Sequence, residues 1–131
     1  MRALPIVVVL LLSSTAIADP APTRPTSAAD IAKARTDLAA KAFANALSRF
    51  EVGSANVEDV ARWSLRWLDA SLDGATGRVV TTALAAHAAR MKDLDDKAIA
   101  ASNTGRTYAA DADAATYYRL EADLWVARGK R

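Results

Sequence analysis

From Ala28 onward, apolar side chains recur at alternating three- and four-residue steps, the period of one face of an α-helix. The clearest stretch is Val57 to Leu72. Val60, Trp63, Ser64, Trp67, Leu68 and Leu72 fall in one arc of a helical wheel, and Glu58, Arg62, Arg66 and Asp69 fall in the opposite one. An earlier helix is predicted from Ala28, with Ser27 as N-cap, to Glu51, its apolar side carrying Ile31, Leu38, Ala42, Phe43, Ala46, Leu47 and Phe50. A third runs from about Val79 to Ala101 with Val80, Leu84, His87, Met91, Leu94, Ala98 and Ala101 as a heptad stripe. The fourth, about Tyr108 to Arg128, has two stripes. One holds Tyr117, Leu120, Leu124 and Ala127, the other Tyr118, Ala122 and Trp125, so two packing neighbours are expected.

Breaks between these patterns carry turn chemistry. Gly53 suits a left-handed helix end, Asn56 the N-cap of the next helix, and Asp59 the third-residue position of a capping box. Gly105 and Asp111 repeat the arrangement, with Thr107 expected to cap because Tyr108 stands where an N-cap residue would be. Asp73 to Gly77 forms the remaining loop. Shifting the chain against itself by 52 residues aligns Gly53 with Gly105, Asp59 with Asp111, Leu68 with Leu120, Ala70 with Ala122 and Leu72 with Leu124. The expected fold is therefore all-α: two antiparallel helical hairpins from an internal repeat (units about 28–76 and 77–131), paired as a four-helix bundle or an elongated coiled coil. The two stripes of the last helix favour the bundle.

The turn pattern Gly-x-x-polar-x-x-Asp-Val, seen as Gly53, Asn56, Asp59 and Val60 and in part again as Gly105 and Asp111, resembles the helical-hairpin turn of TolC-type outer-membrane efflux proteins, which carry it twice. That resemblance implies an exported helical hairpin that packs against other helices. The chain departs from that family in lacking segments for an outer-membrane barrel and in being too short for a channel subunit. The stretches WSLRWLDA and YYRLEADLW also resemble segments of uncharacterised exported bacterial helical proteins.

Ahead of the helices, residues 1–18 combine Arg2, an apolar run from Ile6 to Leu12 and the small-x-small ending Ala16-Ile17-Ala18, which reads as a secretory signal peptide. The apolar run is too short to span a bilayer, so no membrane span is expected after cleavage. Residues 19–27, with three prolines in nine positions, read as an extended linker before the helical domain at 28–131. Cleavage removes only Arg2 from the 17 basic residues, leaving 16 against 15 acidic, a balance that points to no nucleic-acid partner.

With no cysteine, an exported chain has neither disulfides nor thiolate chemistry, so packing must hold it. Much of the 52% hydrophobic content is alanine, so the few large side chains carry the core. These are expected to be Trp63, Trp67, Leu68, Leu84, Met91, Tyr117, Leu120, Leu124 and Trp125, worth about 1.5–3 kcal/mol each when fully buried.

Candidate chemistry is sparse. His87, the sole histidine, lies on the apolar stripe of the third helix, and Glu121 falls between the stripes of the fourth; the two form a candidate polar core site. Arg62, Arg66 and Arg119 beside Trp63, Trp67, Tyr117 and Tyr118 read as arginines snorkelling over aromatics rather than as a stacking platform. Asp93, Asp95 and Asp96, interleaved with Lys92 and Lys97, read as a solvated face. No catalytic residue, metal set or cofactor is expected. The functional expectation is a periplasmic or secreted, non-enzymatic interaction or scaffold module that binds a protein partner or self-associates. A small-ligand, metal or haem-binding protein using His87 and Glu121 is the alternative.

Overall fold

The computed structural model describes residues 24–131; the signal peptide expected at 1–18 and most of the linker lie outside them. Four helices follow one another: α1 (Ala28–Glu51), α2 (Val57–Leu72), α3 (Arg78–Asn103) and α4 (Ala109–Arg128). No strand occurs among the described residues. The first and second pack as one antiparallel hairpin, the third and fourth as another, and α2 lies on α3 to join them. α4 also touches the edge of α2, whereas α1 and α4 flank the bundle without packing on each other.

Local chemistry sets the ends. Ser27 Oγ accepts from the Asp30 amide at 3.1 Å and starts α1. At its other end Gly53, at φ +77, places the Gly53 amide 3.0 Å from the Phe50 carbonyl and the Ser54 amide 2.7 Å from the Arg49 carbonyl. Fifty-two residues on, Gly105 at φ +71 makes the same pair of bonds, Gly105 to Ser102 at 3.0 Å and Arg106 to Ala101 at 2.8 Å. Both hairpins thus turn through the same Schellman motif, in which the left-handed residue is a glycine because a Cβ would be strained there.

The helix starts that follow are less alike. Asn56 Oδ1 accepts from the Asp59 amide at 2.9 Å, but the Asp59 carboxylate turns to Arg62 at 3.6 Å instead of closing a capping box. In the second unit Thr107 does not cap a backbone amide. Its hydroxyl donates to the Asp111 carboxylate at 2.5 Å, and the Asp111 amide reaches the Tyr108 carbonyl.

The core runs through the middle of the bundle. Val57 and Val60 of α2 pack with Met91 and Leu94 of α3, and these four, like Leu68 and Leu84, are essentially inaccessible to solvent. Trp63 and Trp67 are half-buried and pack against this core, with Trp67 5.9 Å from the Phe43 ring of α1. Arg66 lies 4.5 Å over Trp63, covering its outer face.

Three expected core residues are not in the core. Tyr117, Leu120 and Leu124 are exposed, because α4 is a flank helix and docks through one stripe only, Ala115, Tyr118, Ala122 and Trp125. The alanines of that stripe let the α4 backbone approach closely and turn the larger side chains of the other stripe outward. The same asymmetry leaves Ile31 and Leu38 of α1 exposed, while Ala39, Phe43, Ala46 and Phe50 face inward.

Candidate functional site

Where α2 crosses α3, a polar trio is embedded in the core. Ser64 falls on the buried arc of α2 between Val60 and Leu68, and His87 and Arg90 lie almost one turn apart on α3. The Arg90 Nε donates to Ser64 Oγ at 2.8 Å, and Ser64 Oγ lies 2.8 Å from His87 Nδ1. Since a guanidinium only donates, Ser64 Oγ accepts from Arg90, and a second hydrogen bond joins the same oxygen to His87 Nδ1. Trp125 of α4 stacks on the imidazole at 5.6 Å and 22°. Burial, then the adjacent Arg90 charge, lower the His87 pKa from 6.5 to about 4, partly offset by a hydrogen bond to the Ser64 backbone, which favours the protonated ring. The imidazole is therefore neutral at physiological pH.

A serine hydroxyl against a histidine nitrogen has the contacts of an activated nucleophile. Here Ser64 is 0% exposed, so no substrate reaches its oxygen, and the histidine is oriented by a tryptophan face rather than by a carboxylate. The trio satisfies buried polar atoms and locks α2 to α3 in one register.

Glu121 is not part of this arrangement. It is half-buried on α4, its carboxylate 3.5 Å from the Tyr117 hydroxyl, and the contact that α4 makes with His87 comes from Trp125. Sequence reasoning paired His87 with the wrong residue and missed Ser64 and Arg90. The available signal was a serine inside an otherwise apolar arc and an arginine three positions after the histidine. Among the described residues no three His, Asp or Glu side chains converge as metal ligands.

A second buried polar contact joins α3 to α4. Asp95, 1% exposed, accepts from the Thr116 hydroxyl at 2.7 Å and from Arg119 at 3.1 Å. This corrects the reading of Asp93, Asp95 and Asp96 as one solvated face. Only Asp93 and Asp96 are exposed, paired to Lys97 at 2.7 Å and Lys92 at 2.6 Å. Tyr118 ties α4 to α2 by donating to Glu58, and burial followed by that hydrogen bond raises its pKa to about 12.

Among the hollows on the surface of the described residues, two bear on these contacts. The larger, about 780 Å³, lies where both hairpin turns meet, and Gly53, Asn56, Tyr108 and Asp111 line it. The other, about 400 Å³, is an open groove between Trp67 of α2 and the first half of α3, with Arg90 in its wall. Neither contains His87 or Glu121. Comparison of the chain with protein-family models, with curated proteins and with solved structures finds no match.

Proposed function

We propose that this protein is an exported, non-enzymatic scaffold module that assembles head to tail with further copies of itself. The observation that carries this reading is an inequality within the repeat. Leu68 on α2 is 0% exposed, whereas Leu120, its equivalent on α4, is 62% exposed beside the open Tyr117 and Leu124. One neighbour of α2 is α3, the first helix of the following unit. In a stack of repeats each unit covers its neighbour, and the helix that would cover α4 is the first helix of another copy.

The first helix has a matching face. Shifted by one repeat, the α2 to α3 contact between Ser64 and Arg90 becomes Thr116 of α4 against Leu38 of a second copy's α1. Leu38 is exposed, as is Ile31 two turns earlier on the same side.

An interface of this kind uses different surfaces on its two sides and generates open chains rather than closed dimers. Sedimentation equilibrium over a range of concentrations tests it. Species beyond the dimer are expected as concentration rises, and Leu120→Lys is expected to remove them without lowering the melting temperature. A protein that stays monomeric at the highest soluble concentration contradicts the proposal.

A further inference from the structure

The groove between α2 and α3 contains a cation with no counter-charge among the described residues. Arg90 is half-buried, its plane 4.1 Å over the Trp67 ring and 5.7 Å from that of Phe43, and its Nε is taken by Ser64. Nine ion pairs occur among the described residues, and Arg90 belongs to none of them. Among the described residues its two terminal nitrogens have no acceptor, yet no buried side-chain nitrogen or oxygen is left without a partner, so those nitrogens are open to the groove that Arg90 lines. Loss of solvent alone lowers the Arg90 pKa from 12.5 to about 10, as expected for a guanidinium withdrawn from water and unpaired.

The rest of the groove is mostly apolar. Beyond Trp67 its wall is built by Val79, Ala83 and Ala86 of α3, and Arg78 stands at the far mouth. Twelve helical residues separate Arg78 from Arg90, about 18 Å along the axis, so the two do not hold one anionic group between them. A single guanidinium presenting two parallel N–H donors, at the end of an apolar trough, matches a carboxylate on an apolar body better than a phosphate, which needs more donors. At about 400 Å³ the groove lies within the range of small-molecule sites.

We propose that this groove binds a small amphipathic carboxylate, the acid paired with the terminal nitrogens of Arg90 and the apolar body lying over Trp67, Ala83 and Ala86 toward Val79. Arg78 at the mouth draws the anion in. The ligand seals the exposed side of Trp67 and gives Arg90 a counter-charge that the described residues do not supply. This site is distinct from the α4 face and is independent of self-assembly.

Titration of the protein with octanoate, followed by two-dimensional NMR of the backbone amides and of the Arg90 Nε–H, tests the proposal, with 1-octanol as the uncharged isostere and acetate as the headgroup alone. Saturable shifts confined to Arg90, Trp67 and residues 78–90 are expected with octanoate, and binding of octanol or acetate weaker by about tenfold or more, the discrimination expected of one charge-assisted contact. Arg90→Gln is expected to lose the same factor. Since that change also releases Ser64, Ala86→Leu is the companion variant. It fills the groove from an exposed position, keeps the trio intact, and is expected to block octanoate as well. Equal binding of octanol and octanoate, shifts centred on Tyr117 and Leu120, an Ala86→Leu variant that binds as the parent does, or no saturable shift below the concentration at which octanoate self-associates would each overturn it.

Discussion

Arg119 reaches the buried Asp95 at 3.1 Å, and these two residues sit one repeat, 52 positions, beyond Trp67 and Phe43, whose rings meet at 5.9 Å. The same helix-to-helix contact is thus made by an aromatic pair in the first unit and an ion pair in the second. The two solutions differ in what happens when one side is lost. Arg119→Ala leaves a carboxylate in the core with only Thr116 to bond it, so the variant is expected to be clearly less stable than the parent. The double change Asp95→Leu with Arg119→Met removes the charge problem and is expected to recover most of that loss. Chemical denaturation of the parent, single and double variants gives the comparison, and equal stability of single and double variants would refute it.

The leucines separated by one repeat give a second contrast. Leu68→Ala opens a cavity at a fully buried position and is expected to cost about 2–5 kcal/mol. Leu120→Ala truncates an exposed side chain and is expected to stay within about 0.5 kcal/mol of the parent. Denaturation at a concentration low enough to keep the protein monomeric separates the two, and similar losses in both would mean that Leu120 is covered in the monomer.

Acid should destabilise the fold through His87. Its folded pKa of about 4 lies below the ordinary value of 6.5, so between these values the unfolded chain holds a proton that the folded chain refuses. Above pH 6.5 both states are neutral and the residue makes no pH-dependent contribution. As pH falls from 6.5 to 4 stability declines, by about 3 kcal/mol in total from this group. His87→Gln, which keeps a hydrogen-bonding side chain that does not titrate, is expected to flatten that part of the stability profile. A parent profile that is already flat between pH 6.5 and 4 contradicts the assignment of a buried neutral histidine.

Helix positions were legible in the sequence because caps, glycines and the apolar period all point the same way. Ser27, Gly53, Asn56 and Gly105 each sit at a helix end, as their backbone preferences require. What periodicity could not supply is which stripe of a two-striped helix faces inward. On α4 the stripe with Leu120 and Leu124 is the more hydrophobic, yet the alanine-rich one docks, because close approach to α3 needs small residues and the ion pair from Arg119 to Asp95 fixes the rotation. The candidate site was half legible for the same reason. His87 was placed correctly on the α3 stripe, but its partner depends on which α2 residue crosses it, and that is a tertiary fact. Asp95 was misread because its neighbours Asp93 and Asp96 do belong to a solvated face, and only the 100° step between successive helical residues turns Asp95 alone inward.

The claim that matters most is that α4 of one copy receives α1 of the next, and mixing two blocked variants tests it most directly. Leu120→Lys disables the α4 face and leaves α1 intact, while Leu38→Glu does the reverse. Each alone is expected to be monomeric by sedimentation equilibrium. An equimolar mixture is expected to form a one-to-one heterodimer and nothing larger, because the only intact faces left are α4 of the Leu38→Glu chain and α1 of the Leu120→Lys chain. A mixture that remains monomeric under conditions where the parent assembles, or either variant assembling by itself, would contradict the account.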